Sequence, residues 1–129
     1  MPLVRISLPE GLSAETKTKV SQSVHNALMQ EFHIPADDYF HVIEEVSKEN
    51  LIYPESYLGI DHTSSMIFVQ ITAAQGRTSE QKKALYAQIA QNISASTEIR
   101  KEDILIVLLE NNRENWSFGN VEVQHFTHI

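Results

Sequence analysis

Two residues in this sequence have the type and the placement for acid–base chemistry on a small acid. Pro2 follows Met1, and a small second residue generally permits removal of an initiator Met, which leaves a secondary amine at the head of the chain. An α-amino group titrates at about 7.7–8.0, and burial or a nearby cation lowers that value by disfavouring the ammonium form. Such an amine is a general base at neutral pH. Arg77 lies between Gly76 and a helix start at Thr78, beside the unpaired amides of that helix, where a carboxylate binds well. The plainer alternatives are a chain start with a common second residue and a solvated surface arginine. While Met1 stays attached, the Pro2 nitrogen is an amide with no basicity.

A repeat bears on that choice. Shifted by 65 positions, Val4, Ile6, Gly11, Glu15, Lys17, Asp38, Val42 and Glu45 fall on Val69, Ile71, Gly76, Glu80, Lys82, Asp103, Val107 and Glu110. In a duplicated scaffold, residues that the fold needs recur, whereas residues needed once by a reaction stand in one copy. Gly11 and Gly76 recur, which suggests a backbone need at the strand-to-helix turn. Asp38 and Asp103 recur, so an aspartate at this place is open to a purely structural reading in a turn. Arg77 faces Leu12, and Pro2 faces Ile67, so those two break the symmetry in chemistry as well as size.

Each half reads as strand, helix, strand. Leu3 to Leu8 alternates, and Met66 to Thr72 is its β-branched and aromatic copy. Ser13 stands at one N-cap, and Thr78 with Gln81 forms a capping box at the other. Val20, Val24 and Leu28, like Leu85, Ile89 and Ile93, mark one buried stripe per helix. Ile34-Pro35 closes the first helix, because the residue before a proline avoids helical dihedrals. Second strands follow at about 39–46 and 104–109. Right-handed crossovers then give an α/β (α+β) fold: two tandem β-α-β units, a four-stranded sheet and two helices on one face. The segment 104–109 is apolar on both faces, so the open face needs a cover. That cover is either the segment 51–58 or, as we expect, other subunits. The domain reading is one domain over 1–129, with repeat units at about 2–46 and 67–111 and a short strand or extension over 112–129.

Composition narrows the function classes. The 129 residues allow one compact domain, and 42% hydrophobic with 21% charged residues is the profile of an ordinary globule. A net charge of -7 repels phosphate backbones and anionic lipids, so neither nucleic acid nor membrane is the expected partner. Without Cys there is no disulfide framework, zinc knuckle or thiol nucleophile. The apolar runs are strand-sized and no basic, then apolar N-terminal segment is present, so a soluble cytoplasmic protein is expected.

The start Pro2-Leu3-Val4-Arg5-Ile6, the segment from Ile71 to Lys83 (ITAAQGRTSEQKK) and Asn115-Trp116-Ser117-Phe118-Gly119 resemble the tautomerase superfamily, in its malonate semialdehyde decarboxylase-like branch. The resemblance spans nearly the whole chain. It implies a homotrimer of duplicated β-α-β subunits, with the two first strands running antiparallel so that Pro2 approaches residues 75–77. It puts the catalytic proline at Pro2, the carboxylate-binding arginine at Arg77, an aspartate at Asp38, and an aromatic pocket wall at Trp116 and Phe118. Apart from the resemblance, those two aromatics read as packing at a subunit rim. Where the decarboxylase pattern has a second arginine, this chain has Gln75, which donates a hydrogen bond but carries no charge.

The leading expectation is a keto-enol tautomerase of small 2-oxo acids, of the phenylpyruvate or 2-hydroxymuconate type, using no metal or organic cofactor. Arg77 would hold the carboxylate, Pro2 would move the proton, and Gln75 or a helix amide would meet charge on the 2-oxygen. The alternatives are a decarboxylase or hydratase acting on a 3-oxo acid, and a catalytically silent oligomeric binding protein. Tyr39 and Tyr53 are further pocket candidates, although a tyrosine near a strand end is usually packing. His125 and His128 lack ligand partners at a metal-site spacing, and His25, His33, His41 and His62 show no pairing in the sequence.

Overall fold

The computed structural model describes residues 1–124. Strand β1 (Pro2–Pro9) leads to helix α1 (Ala14–Phe32) and strand β2 (His41–Val46); a hairpin of β3 (Ser56–Tyr57) and β4 (Ile60–Asp61) follows, then β5 (Ile67–Ala74), α2 (Ser79–Ser96) and β6 (Ile104–Asn111). The main sheet has the order β2-β1-β5-β6. Each unit pairs its own strands in parallel, Val4 opposite His41 and Ile67 opposite Ile104. The units meet along antiparallel β1 and β5, with Pro2 opposite Ala73. This register brings the start of the chain to the exit of β5, as the resemblance implied.

Local chemistry sets the element ends. The Ser13 side chain accepts from the Thr16 amide, and Thr78 with Gln81 makes the reciprocal capping box. Helix α1 stops at Phe32, before the Ile34-Pro35 pair, because His33 takes a left-handed conformation at φ 57. Gly76 carries the turn into α2 at φ +128, where a side chain would be strained.

The core lies between sheet and helices. Val4, Ile6 and Leu8 on β1 and Val69 and Ile71 on β5 meet Val20, Val24 and Leu28 on α1 and Leu85, Ile89 and Ile93 on α2. Complete burial of each such side chain stabilises the fold by about 1.5–3 kcal/mol. Ile104, Ile106 and Leu108 also pack on this core, whereas Leu105, Val107 and Leu109 face outward and remain exposed. The segment 51–58 covers only one end of the outer face: the Tyr53 ring meets Phe68 edge-on at 6.4 Å, while Ile52 and Leu58 are 81% and 83% exposed.

Of the short strand or extension expected over 112–129, the described residues 112–124 hold a 3-10 turn, Arg113–Asn115, and no strand. Positive φ at Gly119, Asn120 and Val121 breaks the extended conformation that a strand requires. No helix among the described residues is long and apolar enough to cross a membrane.

Candidate active site

The exits of β5 and β6 and the start of β1 share one end of the sheet, and the candidate residues gather there. Arg77 is buried, at 8% exposure. Its Nη1 donates to the Ala74 carbonyl at 3.0 Å, and its Cζ stands 4.7 Å over the ring of Phe32, the last residue of α1. Its Nη2 is buried without a hydrogen-bond partner. A buried guanidinium N–H left unpaired is costly, so this atom is a donor awaiting an acceptor. Burial lowers the Arg77 pKa, and the charges of Glu110 and Asp38 oppose that shift.

Across from Arg77, the α-ammonium of Met1 contacts Asp38 Oδ2 at 2.6 Å, and Met1 itself is 1% exposed. Burial lowers this amine below its ordinary pKa of 8.0; Asp38 pulls it back by hydrogen bond and charge, and Arg77 adds a smaller downward push. Amine, carboxylate and guanidinium therefore form one electrostatic group. The amine is Met1's here, one residue ahead of Pro2, whose nitrogen is in an amide bond.

An aromatic array lies past the end of β6. Trp116 and Phe118 stack with centroids 5.4 Å apart and planes at 5°, and Phe118 meets Phe40 at 5.4 Å. Asn111, at the end of β6, fixes the array by accepting the Trp116 Nε1–H at 2.5 Å. Gln124 holds the far side, its Oε1 accepting from the Phe118 amide at 2.8 Å.

Gln75 is exposed, and its amide nitrogen donates to Asn112 Oδ1 at 2.6 Å. Its amide is thus oriented by a neighbour and not by Arg77. Tyr39 belongs to a different cleft of about 790 Å³ along the edge of β2, with His25 and His41, whose lining excludes Pro2, Asp38 and Arg77. The His25 ring contacts Tyr39 at 5.3 Å and His41 at 6.1 Å, so two of the imidazoles do meet, although the sequence showed no pairing. His125 and His128 lie outside the described residues. Among the described residues no cluster of three or more His, Cys, Asp or Glu is placed to hold a metal ion. Sequence reasoning missed Phe32, Phe40, Asn111 and Asn112, since neutral residues at element ends carry no motif.

Comparison with known proteins agrees with this fold. Two family models described as tautomerase enzyme match, one over residues 38–119 and one over residues 2–58. The chain belongs to the tautomerase family. This tautomerase is 42% identical to the probable tautomerase YusQ of Bacillus subtilis (strain 168), over 96% of this chain and 98% of that one. It is 29% identical to FG41 malonate semialdehyde decarboxylase, solved in a form inhibited by 3-bromopropiolate, with a TM-score of 0.89 over 95% of this chain and 92% of that one. A wild-type fused 4-OT, a symmetric trimer, shares the fold with a TM-score of 0.76 at 23% identity, over 92% of each chain.

Proposed function

We propose that this family member, once Met1 is removed, is a keto-enol tautomerase of small 2-oxo acids in which Pro2 moves the proton and Arg77 anchors the carboxylate. The observation that carries the reading is the unpaired, buried Nη2 of Arg77, together with an N-terminal amine whose pKa Asp38 and Arg77 both influence. Loss of Met1 frees a secondary amine at Pro2 and vacates the buried volume that the Met1 side chain fills.

In the forward reaction the substrate enol or dienol carboxylate pairs with Arg77. The Pro2 amine accepts the hydroxyl proton as the C2–O bond gains double-bond character. The resulting ammonium, held by Asp38, then returns a proton to carbon, so the reaction is proton-neutral. Burial and the Arg77 charge keep the amine in its basic form near neutral pH. Trp116 and Phe118 supply an apolar wall for an unsaturated or aryl tail, and they keep water from the amine. The reaction as read here uses only groups of the chain.

Assembly belongs to the same proposal. The exposed Leu105, Val107 and Leu109 stripe continues through Leu3 and Val42 on the outer sheet face, a surface that other copies would cover in a homotrimer. A cytoplasmic location fits a substrate of this kind.

A decarboxylase or hydratase acting on a 3-oxo acid is the second reading. It is favoured by the likeness to malonate semialdehyde decarboxylase and by the Asp38 contact, which stabilises an ammonium suited to general-acid work. Gln75 weighs against it, because it lacks the second charge that would polarise a 3-oxo group. An ultraviolet assay with phenylenolpyruvate and 2-hydroxymuconate tests the first reading. Turnover is expected to fall by about 10²–10³ in Arg77→Ala, by analogy with loss of one oxyanion donor. Absence of turnover by protein of verified Met-free mass, or full turnover by Arg77→Ala, contradicts it.

A further inference from the structure

We infer that Phe32 is a positioning residue: its ring face holds the Arg77 guanidinium in place and leaves the charge uncancelled for the substrate carboxylate. The inference rests on the tautomerase reading above and names what keeps its anion anchor ready.

A guanidinium buried in a folded chain ordinarily sits against a carboxylate. Arg77 is buried, yet none of the ion pairs among the described residues includes it. The two acids whose charges reach it are each engaged by another cation, Asp38 by the N-terminal ammonium at 2.6 Å and Glu110 by Lys82 Nζ at 2.7 Å. What Arg77 meets is neutral: the Ala74 carbonyl, 3.0 Å from Nη1, and the Phe32 ring, whose centroid lies 4.7 Å from Cζ. The face of an aromatic ring attracts a cation, and more so away from water, but it carries no net charge. It therefore offsets part of the cost of burial without competing with an anion at the edge of the fork.

Ring and carbonyl also divide the geometry between them. Cζ stands over the ring and Nη1 is tied at one corner, so Nη2 is the corner left without a partner. A rigid, planar fork held in this way cannot turn without losing both contacts. Phe32 can serve as a floor because it is itself fixed, as the last residue of α1, 3% exposed and part of the core. The helix that follows Arg77 is tied to the same place: Gln81, of the capping box with Thr78, reaches the Glu31 carbonyl with Nε2 at 3.4 Å. The repeat gives independent support. The shift of 65 sets Thr97 opposite Phe32, as it sets Leu12 opposite Arg77, so cation and ring are missing together from the other copy. A ring that the fold needs is expected twice, whereas a ring that serves the cation goes with it.

The test is a double-mutant cycle on protein of verified Met-free mass, read by calorimetric titration with cinnamate, a carboxylate that cannot tautomerise. Phe32→Leu keeps an apolar side chain and removes the ring face. It should weaken cinnamate binding roughly tenfold, the scale of a desolvated cation–π contact, and change it by less than about twofold in the Arg77→Ala background. On phenylenolpyruvate the loss should fall on KM, with kcat kept within about threefold. Equal losses in both backgrounds, or no loss beside an intact Arg77, overturn the inference, because a ring that only fills the core acts regardless of the cation. A second measurement needs no substitution at Phe32. In wild type labelled with nitrogen-15 arginine, the Arg77 Nη protons should give separate signals displaced by the ring current; one averaged signal at the position of a solvated arginine overturns the inference. Coupling of Phe32 to Arg77 in cinnamate binding, without turnover of phenylenolpyruvate or 2-hydroxymuconate by wild type, would sink the tautomerase reading and leave the role of Phe32 standing.

Discussion

Asp38 and Asp103 occupy the same place in the two β-α-β units, and their backbones behave alike: the Asp38 amide donates to the Pro35 carbonyl at 3.1 Å, and the Asp103 amide to the Arg100 carbonyl at 3.0 Å. Their side chains part company. Asp103, fully buried, accepts from the Thr63 amide at 2.8 Å, from the Thr63 hydroxyl and from Arg100 Nε at 3.2 Å. It thereby ties the connection before β5 to the start of β6. Asp38 instead contacts the N-terminal ammonium and influences Arg77. Recurrence in a duplicated chain thus reports a shared turn. The partner that each side chain meets decides whether the residue braces the fold or joins the site.

That contrast can be broken by paired substitutions. Asp38→Asn should reduce turnover on the order of 10- to 100-fold, the lower range for a group supporting proton transfer. It should also move the acid limb of the kcat/KM–pH profile to lower pH, because the lost carboxylate is what raises the pKa of the amine that acts as base. Asp103→Asn should leave turnover unchanged and cost about 1–3 kcal/mol in urea unfolding, the penalty of weakened buried hydrogen bonds. Burial alone would raise the Asp103 pKa, but the Thr63 and Arg100 contacts hold it below its ordinary 3.8. Its contribution to stability is therefore present above pH 3.8 and lost as the pH falls through the lowered value. The reverse outcome, with Asp103→Asn inactive and Asp38→Asn merely destabilised, would invert the two roles.

The smallest expected effect lies away from this pair, in the β2-edge cleft. Burial, with a further push from His25, lowers His41 from 6.5 to about 4. The unfolded chain therefore binds more protons between those values, so stability should fall as the pH drops from 6.5 towards 4. His41→Gln should flatten that slope in thermal melts at pH 7 and pH 4.5. An unchanged slope would place the acid sensitivity elsewhere.

Much of this was legible in the residues. The 65-residue offset foretold two like units, and the strands that open them, at Pro2 and Ile67, keep that spacing. The Thr78 and Gln81 box formed because both side chains satisfy amides of one helix end, a purely local matter. Arg77 was found by its asymmetry with Leu12. Phe32 beneath Arg77, the Asn111 grip on Trp116 and the Phe40 contact with Phe118 were not legible, because each joins residues far apart in sequence through apolar or amide groups of no special spacing. Tyr39, a pocket candidate in the sequence, meets the His25 ring in the β2-edge cleft, a contact that no spacing in the sequence announces.

The account depends on an amine at Pro2 under the influence of Arg77. A nitrogen-15 NMR titration of proline-labelled protein, its mass showing loss of Met1, observes that atom directly. The account predicts a secondary-amine resonance that titrates below 8.0 and moves to higher pH in Arg77→Ala, where the cation that lowers it is gone. A resonance that does not titrate, or a titration indifferent to Arg77, would contradict it.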